Sequence, residues 1–518
     1  MKKLICIFLL AALILCACKD PSVNKPIDKT SSTESSQSVQ SDSASDVLYL
    51  ATASFDSMHP LGTHLAGCRD FFYCIYNPLF SYNEKNELIP CLAESYSFAS
   101  DALSMTLTLR KDVSWQDGTG FTSRDVIHTL AYLRENDTIY SSLLQSMETA
   151  VIIDNHTIRF TFLEPCAFFP YRLIFPIIPQ HISDIETSPC GTGAYIYKEE
   201  IAHNKHFLAA NPLYFEGEPK TKTVYFTEYA TDETASYAFA AGELSALRGS
   251  SVNFDSFAVK DTMELVTVPT NQYEFLAFNF NHPILSGENI RKAISLAIDR
   301  SAIVKDLLFE AGTPCNLPLP KSAGMQETLT ALPADAAALL EKEGFSLEEN
   351  AAYRTSSVGA LRFTLLYNAN NKDRAQTASS IAATLSSVGI EITPIGAPYN
   401  EYIERLTGGN YELILCGTSL SDGSDLSFLL GSGGSSNYFG YASAVMDMRL
   451  ASIAAAVSLE AQEAEFSHFA SFFTETQPIC GLYFKRNIML FQKGIAQKPM
   501  AGEILFRNIH LWQVNTDS

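Results

Sequence analysis

The segment of residues 361–416 constrains the fold of this chain more than any other part of the sequence. Three apolar runs with the length of buried strands alternate with two stretches that have the apolar spacing of amphipathic helices. The predicted strands are 361–367, 390–395 and 411–416, and the predicted helices are 372–388 and 400–407. Strands that alternate with helices in this way form a parallel sheet, so the segment predicts an α/β fold.

The loop after the third predicted strand is the first candidate binding site. Open α/β sheets bind their ligands beyond the carboxyl ends of the strands, and this loop follows such an end. The loop is rich in small and polar residues. Its candidate ligand-binding residues are Gly417, Thr418, Ser419, Ser421, Asp422 and Asp425.

The length and charge of the chain limit its organisation and its partners. Its 518 residues exceed the roughly 250–300 at which a single core stops growing, so two or three lobes are expected. A hydrophobic content of 47% with 11% aromatic residues is that of a globular protein. The formal net charge of −21 would repel nucleic acid and anionic lipid headgroups, so neither is an expected partner.

The first 46 residues differ in composition from the rest. Residues 1–17 place two lysines before an apolar run too short to span a bilayer, which is typical of a signal peptide. The next residue, Cys18, ends a sequence that resembles a bacterial lipobox, so we expect its lipidation. The alternative is cleavage at a small-residue site that leaves Cys18 free. Residues 18–46 are poor in large apolar side chains and predict a disordered tether.

A strand, a tight turn and a capped helix follow one another between residues 87 and 126. Residues 105–110 alternate apolar and polar side chains, as a half-buried strand does, and Asp117-Gly118 marks a turn. Thr122 and Asp125 have the spacing of a capping box, which predicts the start of a helix. By periodicity alone, this segment is an ordinary α/β module.

The motifs in this segment carry a more specific signal. P-x-L-A-E-S at 90–95, L-R-K-x-V at 109–113 and D-G-x-x-F-T-x-x-D-V at 117–126 resemble the signature of the family 5 extracellular solute-binding proteins. R-x-A-x-x-x-A-I-D-R at 291–300 resembles another motif of that family, and 191–195 resembles its G-T-G-P-Y turn with alanine in place of proline. The resemblance extends over nearly all of residues 47–518.

The resemblance implies an α/β, two-lobed periplasmic-binding-protein fold (type II, cluster C-like) with an extra subdomain in the N-terminal lobe. The expected ranges are 47–66, 188–272 and 485–518 for lobe I, 67–187 for the extra subdomain, and 273–484 for lobe II. The family crosses between its lobes twice. The expected hinge residues are Phe278, Asn279 and Phe484.

The resemblance also points to ligand contacts. The family carries G-W-x-x-D at the loop after residue 416, where its aspartate meets the ammonium group of a peptide. Here Thr418 replaces the tryptophan and Ser421 takes the acidic position, so Asp422 or Asp425 would have to supply the carboxylate. A turn aspartate that caps the loop explains Asp422 equally well. Further candidates that the family implies are Met58, His59 and Tyr483.

The function that the resemblance implies is solute capture outside the cell. We expect a monomer, lipid-anchored to the outer face of the cytoplasmic membrane, that delivers a peptide to the permease subunits of an ABC transporter. The same fold binding a nickel chelate, haem, an oligosaccharide or an opine is the main alternative. A sensor with this fold and an extracellular hydrolase are further alternatives.

Sequence motifs for catalysis or metal binding are absent. Eight of the 11 cysteines follow Cys18, and none of them forms a C-x-x-C pair, so zinc ligation is unsupported. The sequence also lacks H-E-x-x-H, a Walker loop and a G-x-S-x-G elbow. We therefore expect no catalytic residue, no metal site and no cofactor, although a pair of catalytic carboxylates leaves no motif.

Overall fold

A computed structural model of the chain describes residues 46–202, 204–249, 263–319, 329–420, 425–498, 500 and 504–514. The predicted leader, the lipidation site Cys18 and the tether up to residue 45 lie outside the described residues, as do Ser421 and Asp422. Residues 44–518 form one compact unit.

Strands occur along most of the described chain. In order they are β1 (Val47–Ala53), β2 (Phe80–Tyr82), β3 (Leu88–Pro90), β4 (Ala93–Phe98), β5 (Ser104–Leu109), β6 (Met147–Asp154), β7 (Thr157–Phe162), β8 (Tyr195–Ala202), β9 (Lys205–Ala210), β10 (Thr223–Tyr229), β11 (Ala246–Gly249), β12 (Met263–Phe278), β13 (Gly312–Pro314), β14 (Thr355–Ser356), β15 (Gly359–Ala360), β16 (Arg362–Asn368), β17 (Glu391–Ala397), β18 (Leu413–Ser419), β19 (Ile479–Gln492), β20 (Ile495–Gln497) and β21 (Gln513–Val514).

The α-helices lie mostly in the second half of the chain. They are α1 (Ala66–Ile75), α2 (Ser123–Glu135), α3 (Phe169–Arg172), α4 (Asp232–Ala240), α5 (Glu288–Ala297), α6 (Arg300–Ala302), α7 (Pro333–Lys342), α8 (Lys372–Ser386), α9 (Tyr399–Thr407), α10 (Ser427–Leu430), α11 (Ala444–Ala455) and α12 (Leu459–Thr476). Within the described ranges, none of these helices is long and apolar enough to cross a membrane.

The predicted alternation of strands and helices is confirmed. β16 pairs in parallel with both β17 and β18, and α8 and α9 form the connections between them. Gly389 follows α8 with a φ of +78°, a conformation that glycine adopts without strain, so it ends the helix where the sequence predicts. The α/β class inferred from this segment is therefore correct.

The predicted strand, turn and capped helix around residue 110 are also confirmed. β5 is buried on alternate residues and lies in a four-stranded antiparallel sheet of order β4-β5-β7-β6. At the start of α2, the hydroxyl of Thr122 accepts from the backbone nitrogen of Arg124 (3.3 Å), and Asp125 Oδ2 accepts from the backbone nitrogen of Thr122 (2.8 Å). These bonds satisfy two of the unpaired donors at the helix start.

Two long antiparallel strands, β12 and β19, form the centre of the largest sheet. Its order is β11-β19-β12-β18-β16-β17, and β13 also pairs with β19. Near one end of these strands, Val268 and Met489 pack into a hydrophobic cluster with β1 and β8. Near the other end, Leu276 and Leu482 pack into a cluster with α5 and α8. The two strands therefore connect two separate hydrophobic cores.

A second four-stranded sheet, of order β1-β10-β9-β8, packs on α1 in the first of these cores. β1 pairs in parallel with β10 along its whole length, and β8 to β10 are antiparallel. The eight cysteines from Cys68 to Cys480 are buried free thiols, several of them in these clusters. This agrees with their positions in apolar sequence.

Candidate functional site

The carboxyl ends of β16 and β18 define the edge of the sheet at which a ligand is expected. The two strands are parallel, so Asn368 and Ser419 end on the same side. α8 begins shortly after β16, where the side chain of Asn371 caps it by accepting from the backbone nitrogen of Arg374 (3.1 Å). Asp373 and Arg374, in the first turn of α8, are thereby held at this edge.

A cavity of about 250 Å³ opens at this edge. The cavity lies between the start of α8, the end of β11 and the middle of β12 and β19. It is smaller than the roughly 300–1,000 Å³ pockets that enclose drug-sized ligands, so its size suits one part of a larger solute. The lining residues are Arg248, Gly249, Gln272, Leu308, Ala311, Asp373, Tyr483, Lys485, Arg486, Asn487 and Ile488.

Glu274, on β12, is a buried carboxylate with two cationic partners. Its Oε2 accepts from Nε of Arg374 (2.9 Å), and its Oε1 accepts from Nη2 of the same guanidinium (3.2 Å). Nζ of Lys485 lies 3.1 Å from Oε1. Burial acts to lower the pKa of Arg374, but the charge of Glu274 outweighs it and raises that pKa above its ordinary value. Glu274, Arg374 and Lys485 thus form a charged network beside the cavity. Lys485 belongs to the network and also lines the cavity.

Gly417 allows this network to form. A Cβ atom at this position would lie 2.4 Å from Oε1 of Glu274 and 2.5 Å from Nη2 of Arg374. Both distances are well inside van der Waals contact, so any side chain at residue 417 would displace the ion pair. Gly417 therefore leaves room for the charged network. Sequence periodicity alone does not reveal this role of the glycine.

The predicted loop from residue 417 to residue 425 needs a correction. Gly417, Thr418 and Ser419 are not in a loop but form the last three residues of β18. They pair with Glu274, Tyr273 and Gln272 of β12 respectively. The strand continues past its apolar part because β12, the longer neighbour, offers further backbone partners. Ser421 and Asp422 remain candidates outside the described residues.

Asp425 is already engaged by a cation of the chain. Its carboxylate forms an ion pair with Nη2 of Arg172, at the end of α3, and Oδ1 accepts from the backbone nitrogen of Ser427 (3.1 Å). The Arg172 side chain retains 10% of its exposure and that of Asp425 retains 20%. A ligand ammonium at Asp425 would therefore have to compete with a largely buried guanidinium.

The three other predicted contact residues lie in different environments. Tyr483 lines the cavity, where burial raises the pKa of its hydroxyl. His59 is not among the lining residues: its ring stacks on Tyr132 at 4.3 Å, and its Nδ1 accepts from the backbone nitrogen of Leu61 (3.2 Å). Met58 is partly buried against the core that contains β1. The structure thus brings Tyr483, but not His59 or Met58, to this cavity.

The predicted hinge residues lie at two places on the crossing strands. Phe278 is fully buried in the core with α5 and α8, and the side-chain amide of Asn279 donates to the carbonyl of Tyr411 (2.7 Å). Phe484 lies where the pairing of β12 with β19 shifts register, between Pro269 and Tyr273. This irregularity in the ladder is nearer to Phe484 than to Phe278.

Several charged residues of the site are absent from the sequence predictions. Glu274 interrupts the apolar end of β12, and Lys485 and Arg486 interrupt the apolar run of β19. A charge inside an apolar strand needs a partner or a polar cavity, because burying it alone is costly. That interruption is the sequence signal from which these three residues can be found. Arg374 and Arg248 carry no such signal.

Comparisons with known proteins establish the family. The profile described as bacterial extracellular solute-binding proteins, family 5 Middle, matches residues 87–440. Protein XP55 of Streptomyces lividans is 29% identical over 346 residues, which cover 64% of this chain and 63% of that protein. A putative ABC transporter peptide-binding protein of Brucella ovis is 25% identical over 68% of this chain and 69% of its own length. The chain belongs to the family 5 extracellular solute-binding proteins.

Solved structures confirm the fold. NikZ from Campylobacter jejuni, in complex with Ni(L-His), has a TM-score of 0.68 at 19% identity and covers 90% of this chain and 99% of its own. The oligopeptide-binding protein AppA from Bacillus subtilis, in complex with a nonapeptide, has a TM-score of 0.65 at 20% identity, with coverages of 91% and 100%. The two-lobed periplasmic-binding-protein fold expected from the sequence is therefore correct.

Proposed function

We propose that this chain is the substrate-binding component of an ABC importer, which captures a peptide between two lobes and delivers it to the membrane permease. The observation that carries the proposal is the cavity at the carboxyl edge of β16 and β18, bordered by the two strands that connect the cores. Membership of family 5 and the peptide-binding relative from Brucella ovis support the same function.

The mechanism that we propose is hinge closure of a monomer. β12 and β19 are the connections, and the register shift opposite Phe484 marks a place where backbone bonds are already irregular. A second shift follows between Glu274 and Phe275, so bending in this stretch would open the cavity where the ladder is already interrupted twice. A solute that contacts both lobes would favour the closed form, because only that form offers both sets of contacts.

Peptide ends are the chemistry that the site has to satisfy. Because Arg172 engages Asp425, we assign the ammonium group of a peptide to Asp422. Asp422→Asn should weaken the binding of free tripeptides much more than that of their N-acetylated forms, as measured by calorimetry. Asp425→Asn is the matched variant and should not discriminate between the two forms. Equal losses for free and acetylated peptides in Asp422→Asn would refute this assignment.

The solute itself is tested by mass spectrometry of what copurifies with the protein. Peptides in the bound pool are the expected result. Recovery of a metal chelate such as the one bound by NikZ, or of sugars alone, would instead favour the same fold with a non-peptide solute. Peptides recovered intact after incubation with pure protein would support binding over hydrolysis, since a hydrolase would return fragments.

We also propose that the chain is exported and anchored by lipid at Cys18. A diacylglyceryl group supplies two acyl chains, which is what stable anchoring takes. In a detergent phase-partition assay, the wild-type protein should enter the detergent phase and Cys18→Ser should stay in the aqueous phase. Cys16→Ser is the control and should partition as the wild type does. Aqueous partition of the wild type would contradict the anchor.

A further inference from the structure

The cavity is cationic in an acidic protein. Three of its lining side chains, Arg248, Lys485 and Arg486, are cations, and one, Asp373, is an acid. The whole chain carries a formal net charge of −21. Such a local reversal of sign concentrates anions at the site where it occurs.

Two of these cations have carboxylate partners. Nη1 of Arg248 lies 3.2 Å from Oδ2 of Asp70, and its Nη2 donates to Oδ1 of Asn487 (3.0 Å). Lys485 shares Glu274 with Arg374. Each of these two lining cations therefore has a carboxylate within ion-pair distance, although Lys485 and Arg374 share the single negative charge of Glu274.

Arg486 differs because its partners are neutral. Its Nε donates to the hydroxyl of Thr267 (2.9 Å), its Nη2 to the carbonyl of Thr267 (3.2 Å), and its Nη1 lies 3.4 Å from the hydroxyl of Thr313. Among the residues that the structure describes, these threonines are its hydrogen-bond partners, and its guanidinium forms no ion pair with a carboxylate. Burial lowers the pKa of Arg486, yet a guanidinium stays protonated in proteins.

The neighbours of Arg486 hold it in a fixed orientation. Thr267 belongs to β12, Thr313 belongs to β13, and both strands flank β19. The guanidinium is thus fastened across three strands, with its charge uncompensated and its residue on the cavity wall. A preorganised cation of this kind favours the two-pronged contact that a carboxylate makes.

We propose that Arg486 receives a carboxylate group of the bound solute, either a terminal carboxylate or an acidic side chain. The proposal rests on the proposed function for the location of the site, and it adds the chemical class of the solute. A carboxylate supplies the missing countercharge, whereas an amide or hydroxyl would leave the guanidinium uncompensated.

The test is calorimetric titration of the purified chain with two matched pairs of peptides. One pair is trialanine and trialanine amide, which differ in the terminal carboxylate. The other is Ala-Glu-Ala amide and Ala-Gln-Ala amide, which differ in a side-chain carboxylate. The wild type should prefer the acid of at least one pair by about tenfold to a hundredfold, and the pair identifies the source of the carboxylate.

Arg486→Gln should lose this preference. The matched control, Arg362→Gln, removes the same charge from an exposed position at the opposite end of β16 and should keep it. Arg486→Lys retains the charge and should recover part of the preference, which a merely structural defect would not allow. If peptides bind but the wild type shows no preference in either pair, or if Arg486→Gln keeps it, the proposal is overturned and the proposed function stands.

If no peptide binds the wild type, the peptide function fails and the inference is decided on the copurified solutes. Carboxylic acids retained by the wild type and by Arg362→Gln, but lost from Arg486→Gln, would support it. Retention by all three proteins, or a bound pool without carboxylic acids, would overturn it.

Discussion

At the scale of the single residue, the site depends on a buried carboxylate and the space around it. Glu274 retains 5% of its exposure and faces two cations, so its negative charge is fully compensated and the group of three keeps a net positive charge. The desolvation of a buried ion pair offsets much of its electrostatic attraction. Removing one partner, however, leaves an unpaired buried charge and costs about 3–5 kcal/mol of stability. The residue that permits the arrangement is Gly417, which has no charge itself.

Gly417→Ala should therefore destabilise the protein. The added methyl group would meet the ion pair of Glu274 and Arg374 at under 3 Å, so one of them has to move. We expect a loss of about 1–3 kcal/mol in the free energy of unfolding, measured by urea denaturation. Gly433→Ala is the matched control, because a Cβ there meets no atom within 4 Å. Equal urea midpoints for the two variants would show that the network yields to the methyl group.

His59 makes stability depend on pH. Burial, together with the charge of His128, lowers the pKa of His59 to about 4. The unfolded chain, with a histidine pKa near 6.5, therefore binds the proton first as the pH falls. Stability that is present above pH 6.5 should be lost progressively towards pH 4, by up to about 3 kcal/mol.

His59→Asn tests this dependence. Its amide oxygen replaces Nδ1 as acceptor for the backbone nitrogen of Leu61 but does not titrate. The slope of unfolding free energy against pH, measured between pH 4 and 6.5, should be shallower in this variant than in the wild type. His468→Asn, at an exposed position, is the control for removing a histidine. An unchanged slope in His59→Asn would contradict the assignment.

At the scale of the element, α3 and the residues before it make a contact that the sequence does not predict. Phe168 is buried among residues of the cluster that contains β18, α10 and α11. The backbone nitrogen of Ala167 donates to the carbonyl of Ala454 (2.8 Å), and Arg172 forms the ion pair with Asp425. The expected lobe boundaries place 67–187 in lobe I and 273–484 in lobe II, so this contact would join the lobes across the cleft.

Phe168→Ala should shift the protein towards an open form. The side chain packs against residues that the expected boundaries assign to lobe II. On those boundaries its removal should destabilise only the closed form, by about 3–5 kcal/mol if the contact is fully lost. The radius of gyration, measured by X-ray scattering, should increase. Leu163→Ala, which removes a side chain that is 64% exposed in the same region, should leave it unchanged. Identical scattering from both variants would show that the contact does not limit opening.

Elements with a clear local periodicity of apolar residues were predictable from the sequence. Elements whose length or contacts depend on distant parts of the chain were not. The helix α8 and its end at Gly389 follow from spacing and backbone freedom alone. The extra length of β18 depends on β12, which lies more than a hundred residues earlier in the chain. The pairing of Glu274 with Arg374 likewise joins positions 100 residues apart. No pattern of neighbouring residues reports such contacts.

At the scale of the whole molecule, the family motifs predicted more than physical patterning did. Alternating strands and helices indicate an α/β fold, but they do not indicate two lobes. The strings at 90–95, 109–113 and 117–126 carry that information, although these segments belong to β4, β5, α2 and their turns. They support the fold, whereas the cavity is lined from β11, β12, β19, α8 and the segment just before β13.

The body of the protein should be independent of its N-terminal segment. Residues 44–518 form a compact unit, and residues 19–46 are poor in the large apolar side chains that a core requires. The first described strand, β1, begins at Val47. Asp46, which precedes it, accepts hydrogen bonds from the backbone nitrogens of Lys222 (3.1 Å) and Thr223 (3.3 Å). A chain that begins at Ala44 keeps both contacts and should melt within about one degree of a chain that begins at Lys19.

A longer truncation supplies the contrast. A chain that begins at Ser54 lacks β1, which pairs with β10 at every residue and places Leu48 and Leu50 in the core. Burying two leucines contributes about 3–6 kcal/mol, a large share of the stability of an ordinary domain. This chain should melt far lower or fail to fold, as measured by circular dichroism. If the chain from Ala44 were destabilised to the same extent, residues 19–43 would be part of the folded body and the boundary near residue 46 would be wrong.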